Sequence, residues 1–149
     1  MKTVISIFTT LLLLAIFLVA CDNLKGSAQS EKTILILSTP SSINTFKIDD
    51  TINLVIENYS TNQIVIDPKE TILSVNTENG WGSIENLMDY SDMVYVLMPK
   101  DQGDASSTVI GISPIIPNDK PATIRITIKG TIQSTKQKTE AQIDVTINP

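Results

Sequence analysis

One cysteine, Cys21, and no histidine limit the chemistry this chain can carry. A lone thiol cannot close a disulfide within the chain or join a Cys/His zinc site. Without histidine there is no side chain that ordinarily serves as a general base near neutrality, and no Ser-His-Asp arrangement. Carboxylates remain: Glu85, Asp89 and Asp92 lie close together, and Asp101-Gln102-Gly103-Asp104 follows. Calcium asks for several oxygens around a glycine turn, and this stretch supplies too few, so the acids read as solvated loop charge and no metal is expected. A hydrolase using two carboxylates needs them opposed across a cleft, and no motif argues for one. The remaining side chain suited to binding is the sole tryptophan, in Asn79-Gly80-Trp81-Gly82. In a chain this poor in aromatic residues, Trp81 is first expected to fill or cap the core. The alternative is display between its glycines, for stacking on a sugar or an apolar partner. Tyr90 is the second candidate ligand-binding residue, and Tyr59 and Tyr95 extend an aromatic surface only if the fold gathers them.

Cys21 closes an apolar run. Lys2 gives a short positive start, and Val4 to Val19 is apolar apart from Ser6, Thr9 and Thr10. That is the layout of a secretory signal, too short and too small-residued at its end for a permanent membrane helix. Leu18-Val19-Ala20-Cys21 resembles the lipobox of bacterial lipoproteins. The resemblance implies cleavage between Ala20 and Cys21, and a diacylglyceryl thioether on Cys21, which removes the thiol as a nucleophile. Two or more acyl chains anchor stably where one is marginal. The expected address is therefore the extracytoplasmic face of a cell membrane, held by lipid.

Removing residues 1–20 from the 149 leaves 129, a length suited to one domain. The loss of Lys2 changes eleven basic residues to ten against sixteen acidic ones, a formal charge of −6. Such a surface disfavours nucleic acid and anionic headgroups, so no nucleic-acid partner is expected and attachment falls to the lipid. Residues 21–31 comprise the lipidated cysteine and a polar tether. Asp22 to Ser30 has an r.m.s. reach of roughly 15 to 18 Å.

From residue 32 the chain reads as short β runs punctuated by Pro, Gly, Asn and Asp. Strands are expected at Thr33–Ser38, Thr51–Asn58, Gln63–Asp67, Thr71–Asn76, Met93–Met98, Thr108–Ser113, Ala122–Thr131 and Ala141–Asn148. Ile124, Ile126 and Ile128 alternate with Thr123, Arg125 and Thr127, and Ala141, Ile143, Val145 and Ile147 form a second inward set. Ser83 to Tyr90 departs from period two: Ile84, Leu87 and Met88 fall at i, i+3 and i+4 behind Ser83 as N-cap, which predicts a short helical turn. Lys100–Ser107 is read as a polar loop open to partner binding, and Gln133–Glu140 as a connecting loop. Lys136 and Lys138 there read as a solvated tip.

About seven to eight closely spaced strands predict an all-β, antiparallel β-sandwich over residues 32–149. Two stretches carry a family resemblance: Ile52-Asn53-Leu54-Val55-Ile56-Glu57-Asn58-Tyr59-Ser60-Thr61-Asn62-Gln63-Ile64-Val65-Ile66, and Ile115-Ile116-Pro117-Asn118-Asp119-Lys120 before an Ile-rich strand. They are similar to the opening and the proline-turn edge of bacterial immunoglobulin-like adhesion and accessory domains. The resemblance implies a fold and a tendency to bind partners, with no functional residues to carry over. The immunoglobulin disulfide cysteines are absent, which sets the chain apart from antibody domains. The function expected is a non-catalytic binding or accessory module of the cell envelope, with an envelope protein or a glycan as partner and no cofactor. The alternatives are a carbohydrate-binding module using Trp81, or a protease inhibitor on an immunoglobulin-like scaffold.

Overall fold

Isoleucine at every second position fixes the longest ladder of the protein. In a computed structural model describing residues 34–90, 93–116 and 120–149, β9 (Ala122–Ile132) and β10 (Lys138–Asn148) run antiparallel. Ile128 stands opposite Ala141, Ile126 opposite Ile143 and Ile124 opposite Val145. A slip of one residue would turn this whole apolar set to solvent, so burial itself holds the register.

The remaining strands are β1 (Leu35–Ser38), β2 (Thr45–Lys47), β3 (Ile52–Asn58), β4 (Ile64–Ile66), β5 (Ile72–Thr77), β6 (Gly80–Ile84), β7 (Tyr95–Leu97) and β8 (Ser107–Ile112). They form two sheets. The first has the order β1-β3-β8 and is antiparallel throughout. The second has the order β2-β10-β9-β4-β7, with β2 parallel to β10. One edge of β9 is shared end to end: β4 pairs with Gly130–Ile132, and β5 with Ile124–Thr127. Strand β6 pairs with β5 and extends this sheet.

The two sheets bury a single core between them. Leu35, Ile52, Leu54, Ile56, Ile110 and Ile112 come from the first, and Ile64, Ile66, Leu73, Leu97, Ile124, Ile126, Ile128 and Val145 from the second. Each such side chain contributes about 1.5 to 3 kcal/mol by leaving water. A polar knot ties one end: Asn58, fully buried, donates to the carbonyls of Asn62, Leu97 and Met98 and accepts from Ser60 N and Oγ. It thereby links the end of β3 to the end of β7, across the two sheets.

Ten strands occur among the described residues rather than seven or eight: β2 and β6 are additional. The helical turn expected over Ser83–Tyr90 is absent. Ser83 and Ile84 finish β6, and Asn86 bridges antiparallel to Pro114. Leu87 N donates to Ser113 O, Ile115 N to Glu85 O, and Asn86 Oδ1 accepts from Ser113 N and Met88 N. Backbone groups bonded across to residues 113–115 are not free for a helix, and Leu87 and Met88 face solvent instead of forming a buried stripe. The helical content lies in 3₁₀ turns at Pro40–Ser42, Pro68–Glu70 and Lys100–Ser106, the last within the expected polar loop. The loop expected at Gln133–Glu140 is shorter, because β10 begins at Lys138.

Candidate functional site: an aromatic platform on the outer face of the second sheet

Thr77-Glu78-Asn79-Gly80 turns β5 back into β6, as the Asn-Gly pair predicts. Gly80 takes φ +104°, which costs glycine little, and Thr77 Oγ1 donates to Gly80 O at 2.7 Å. The register then decides which side chains face out. Val75 and Leu73 are buried, opposite Gly82 and Ile84, so the alternate pairs Asn76–Trp81 and Ser74–Ser83 lie on the solvent face.

Trp81 is therefore not a core residue. It is 42% exposed, and Arg125 sits against its ring with the guanidinium carbon 4.1 Å from the centroid. Arg125 reaches Trp81 across β5, where Ser74 is its cross-strand neighbour. On its other side Arg125 is directly opposite Asp144, and the pair is bidentate: Nε to Oδ1 at 2.8 Å and Nη2 to Oδ2 at 2.8 Å. The fork geometry fixes the guanidinium plane, and that plane supports the indole. One ring face is covered, so the exposed area belongs to the opposite face and edge. The hydrogen bond to Asp144 raises the Arg125 pKa, and the same bond holds the Asp144 carboxyl below the usual aspartate value. The charge of the platform is thus neutralised in place.

Beyond the last β5–β9 pair, Val75 with Ile124, the two strands part and a cleft of about 660 Å³ opens. Its lining is mainly polar and includes Asn76, Glu78, Asn79, Lys120 and Thr123. Asn76 belongs to both features, since it is the cross-strand partner of Trp81 and also lines the cleft. Asn76 and Ser83 are exposed and make no side-chain hydrogen bond among the described residues.

The other sequence candidates fall elsewhere. Tyr90 is 7% exposed, donates its hydroxyl to Gly111 O and accepts from Asn86 Nδ2 at 3.1 Å. Burial pushes its phenol pKa up, and its role in the fold is a strut against β8. Tyr59 lies under Lys100, whose ammonium is 4.3 Å from the ring centroid and 2.7 Å from Glu57 Oε1. Glu85, Asp89, Asp101 and Asp104 are exposed, and among the described residues no three acids gather as metal ligands would. Asp92 lies outside the described residues, as do Ala20, Cys21 and the expected signal segment. No described helix is long and apolar enough to cross a membrane.

Arg125 and Asp144 were not singled out by the sequence, although a signal for them existed. Aligning the two isoleucine alternations antiparallel, Ile126 against Ile143, places an outward arginine opposite an outward aspartate. Nothing in the sequence placed Trp81 over them, because the strand Gly80–Ile84 carries no apolar alternation. No protein-family model matches the chain, and no curated protein matches it.

Proposed function

We propose that this protein is a lipid-anchored, non-catalytic binding module of the bacterial cell envelope, built on an immunoglobulin-like sandwich, with the Trp81 face as its binding surface. The strand order supports the immunoglobulin-like reading. Reading β1, β3 and β8 as A, B and E, and β10, β9 and β4 as G, F and C, places the strands in the two sheets that such domains use. The leading segment is divided, β1 antiparallel to β3 in one sheet and β2 parallel to β10 in the other.

The observation that carries the functional reading is the exposed Trp81 held on a fixed Arg125–Asp144 pair. Tryptophan loses much by remaining in water, and a lone tryptophan built onto a supported outer face is a binding anchor. The surface around it is the outer face of paired strands, along which a ligand can lie. The lipid attachment rests on Leu18-Val19-Ala20-Cys21, and the acidic balance of the chain supports attachment by lipid rather than by charge.

The test is capture from detergent-solubilised envelope by the full chain. Retention of a specific protein or glycan by the wild-type chain, and its loss with Trp81→Ala, is the expected result. Retention of nothing specific, or equal retention by both chains, refutes the reading.

A further inference from the structure

An indole can be covered by an apolar side chain, a base or a sugar, and the surroundings of Trp81 distinguish among them. Protein anchors sit inside a rim that excludes water. The immediate outer-face neighbours of Trp81 are instead Asn76, Ser74 and Ser83, with Thr123 beyond them. Among the described residues, Asn76 and Ser83 retain unused donors and acceptors on the same side as the ring. A base on a phosphate backbone would want a cluster of free positive charge nearby, yet the charge of Arg125 is met by Asp144, Lys120 lines the cleft together with Glu78, and the chain carries a net charge of −5.

A pyranose matches what is left. It presents a flat C–H face to an aromatic plane and hydroxyls around its rim to short polar side chains. From the sharing of Asn76 between the platform and the cleft, we infer that this face binds a neutral oligosaccharide, one ring on the open face of Trp81 and the next units passing over Asn76 toward Thr123. This inference rests on the reading of the Trp81 face as a binding surface and names its ligand class. Arg125 and Asp144 are positioning residues, acting through the plane of the indole.

Trp81 is the only tryptophan in the chain, so intrinsic tryptophan fluorescence reports from this site alone. The full chain in detergent is titrated with chitotetraose, cellotetraose and maltotetraose. A saturable change in emission with at least one of them is expected. By calorimetry, Trp81→Ala weakens that binding about tenfold or more, Trp81→Phe weakens it less, and Gly82→Ala, whose added methyl enters open space, leaves it unchanged. Thermal melts of each variant exclude unfolding as the cause. No saturable response to any of the three sugars overturns the inference, and so does binding that Trp81→Ala leaves intact. Trp81-dependent capture of an envelope protein without any sugar response overturns the glycan and leaves the binding face standing. Absence of both removes the binding face as well.

Discussion

Asn58 and Asp144 show what one polar side chain does on the two sides of this sheet structure. Asn58 is wholly buried and spends its amide on three carbonyls and its oxygen on Ser60. Asn58→Ala removes the amide that ties those carbonyls together, leaving Asn62 O only its bond from Ser60 Oγ, and a loss of about 2 to 4 kcal/mol in urea unfolding is expected. Asn58→Asp is worse, because a carboxylate would face carbonyl oxygens in a dry site. Burial would raise the pKa of the introduced carboxyl, so the variant should regain stability as pH falls from 7 toward 4, and a melting temperature that does not rise over that range would contradict a dry, acceptor-lined site. Asp144 behaves in the opposite sense. Its carboxyl is exposed and held below the ordinary aspartate value by Arg125. A depressed folded-state pKa stabilises above the unfolded value, and that stability is lost as pH falls through the folded one. Trp81 emission should therefore stay constant from pH 7 to about 4, and change only below that, as the support of the indole loosens. A transition centred near pH 6 would show that another group controls the ring. Neither role is legible from residue type: Asn58 reads as the end of a strand, and Asp144 is simply one of the residues between the inward positions Ile143 and Val145.

At the level of elements, the sequence was most readable where burial and period coincide. The isoleucine alternations of β9 and β10 and the run Ile52–Asn58 state both strand and inward face, and the structure follows them. It was least readable where a strand has no apolar period. Gly80–Ile84 pairs with β5 through its backbone while its side chains are Gly, Trp, Gly, Ser and Ile, and the helical spacing just after it was a coincidence of residues that face different ways. The glycines separate these two situations experimentally. A Cβ on Gly130 would lie 2.7 Å from Ile64 Cγ2 and 3.3 Å from Thr139 Cγ2, between strands locked in register. The χ1 of Ile64 is stiff, so the methyl has little room to yield. Gly130→Ala should cost about 1 to 3 kcal/mol in denaturant unfolding. Gly82→Ala meets nothing within 4 Å and should stay within about 0.5 kcal/mol of wild type. Equal effects of the two substitutions would contradict the register of β9 between β4 and β10.

For the whole molecule, two properties have to be reconciled: an acidic balance of charge, and an address that resembles a membrane lipoprotein. Sixteen acids against eleven bases give no reason for adsorption to anionic headgroups. On the proposed reading, acyl chains at Cys21 supply the attachment that charge does not. The two modes of attachment respond differently to salt. At about 1 M the screening length falls to about 3 Å, which releases a protein bound by charge and leaves a diacylated one in place. The expected outcome is that the native protein stays in the membrane fraction through a salt wash at that strength and leaves it in detergent. Mass spectrometry of the released protein should then show a chain beginning at lipid-modified Cys21. Release by salt, or an unmodified Cys21 still joined to residues 1–20, would exclude the lipid anchor, while leaving the binding face of the folded sandwich to be judged by its own test.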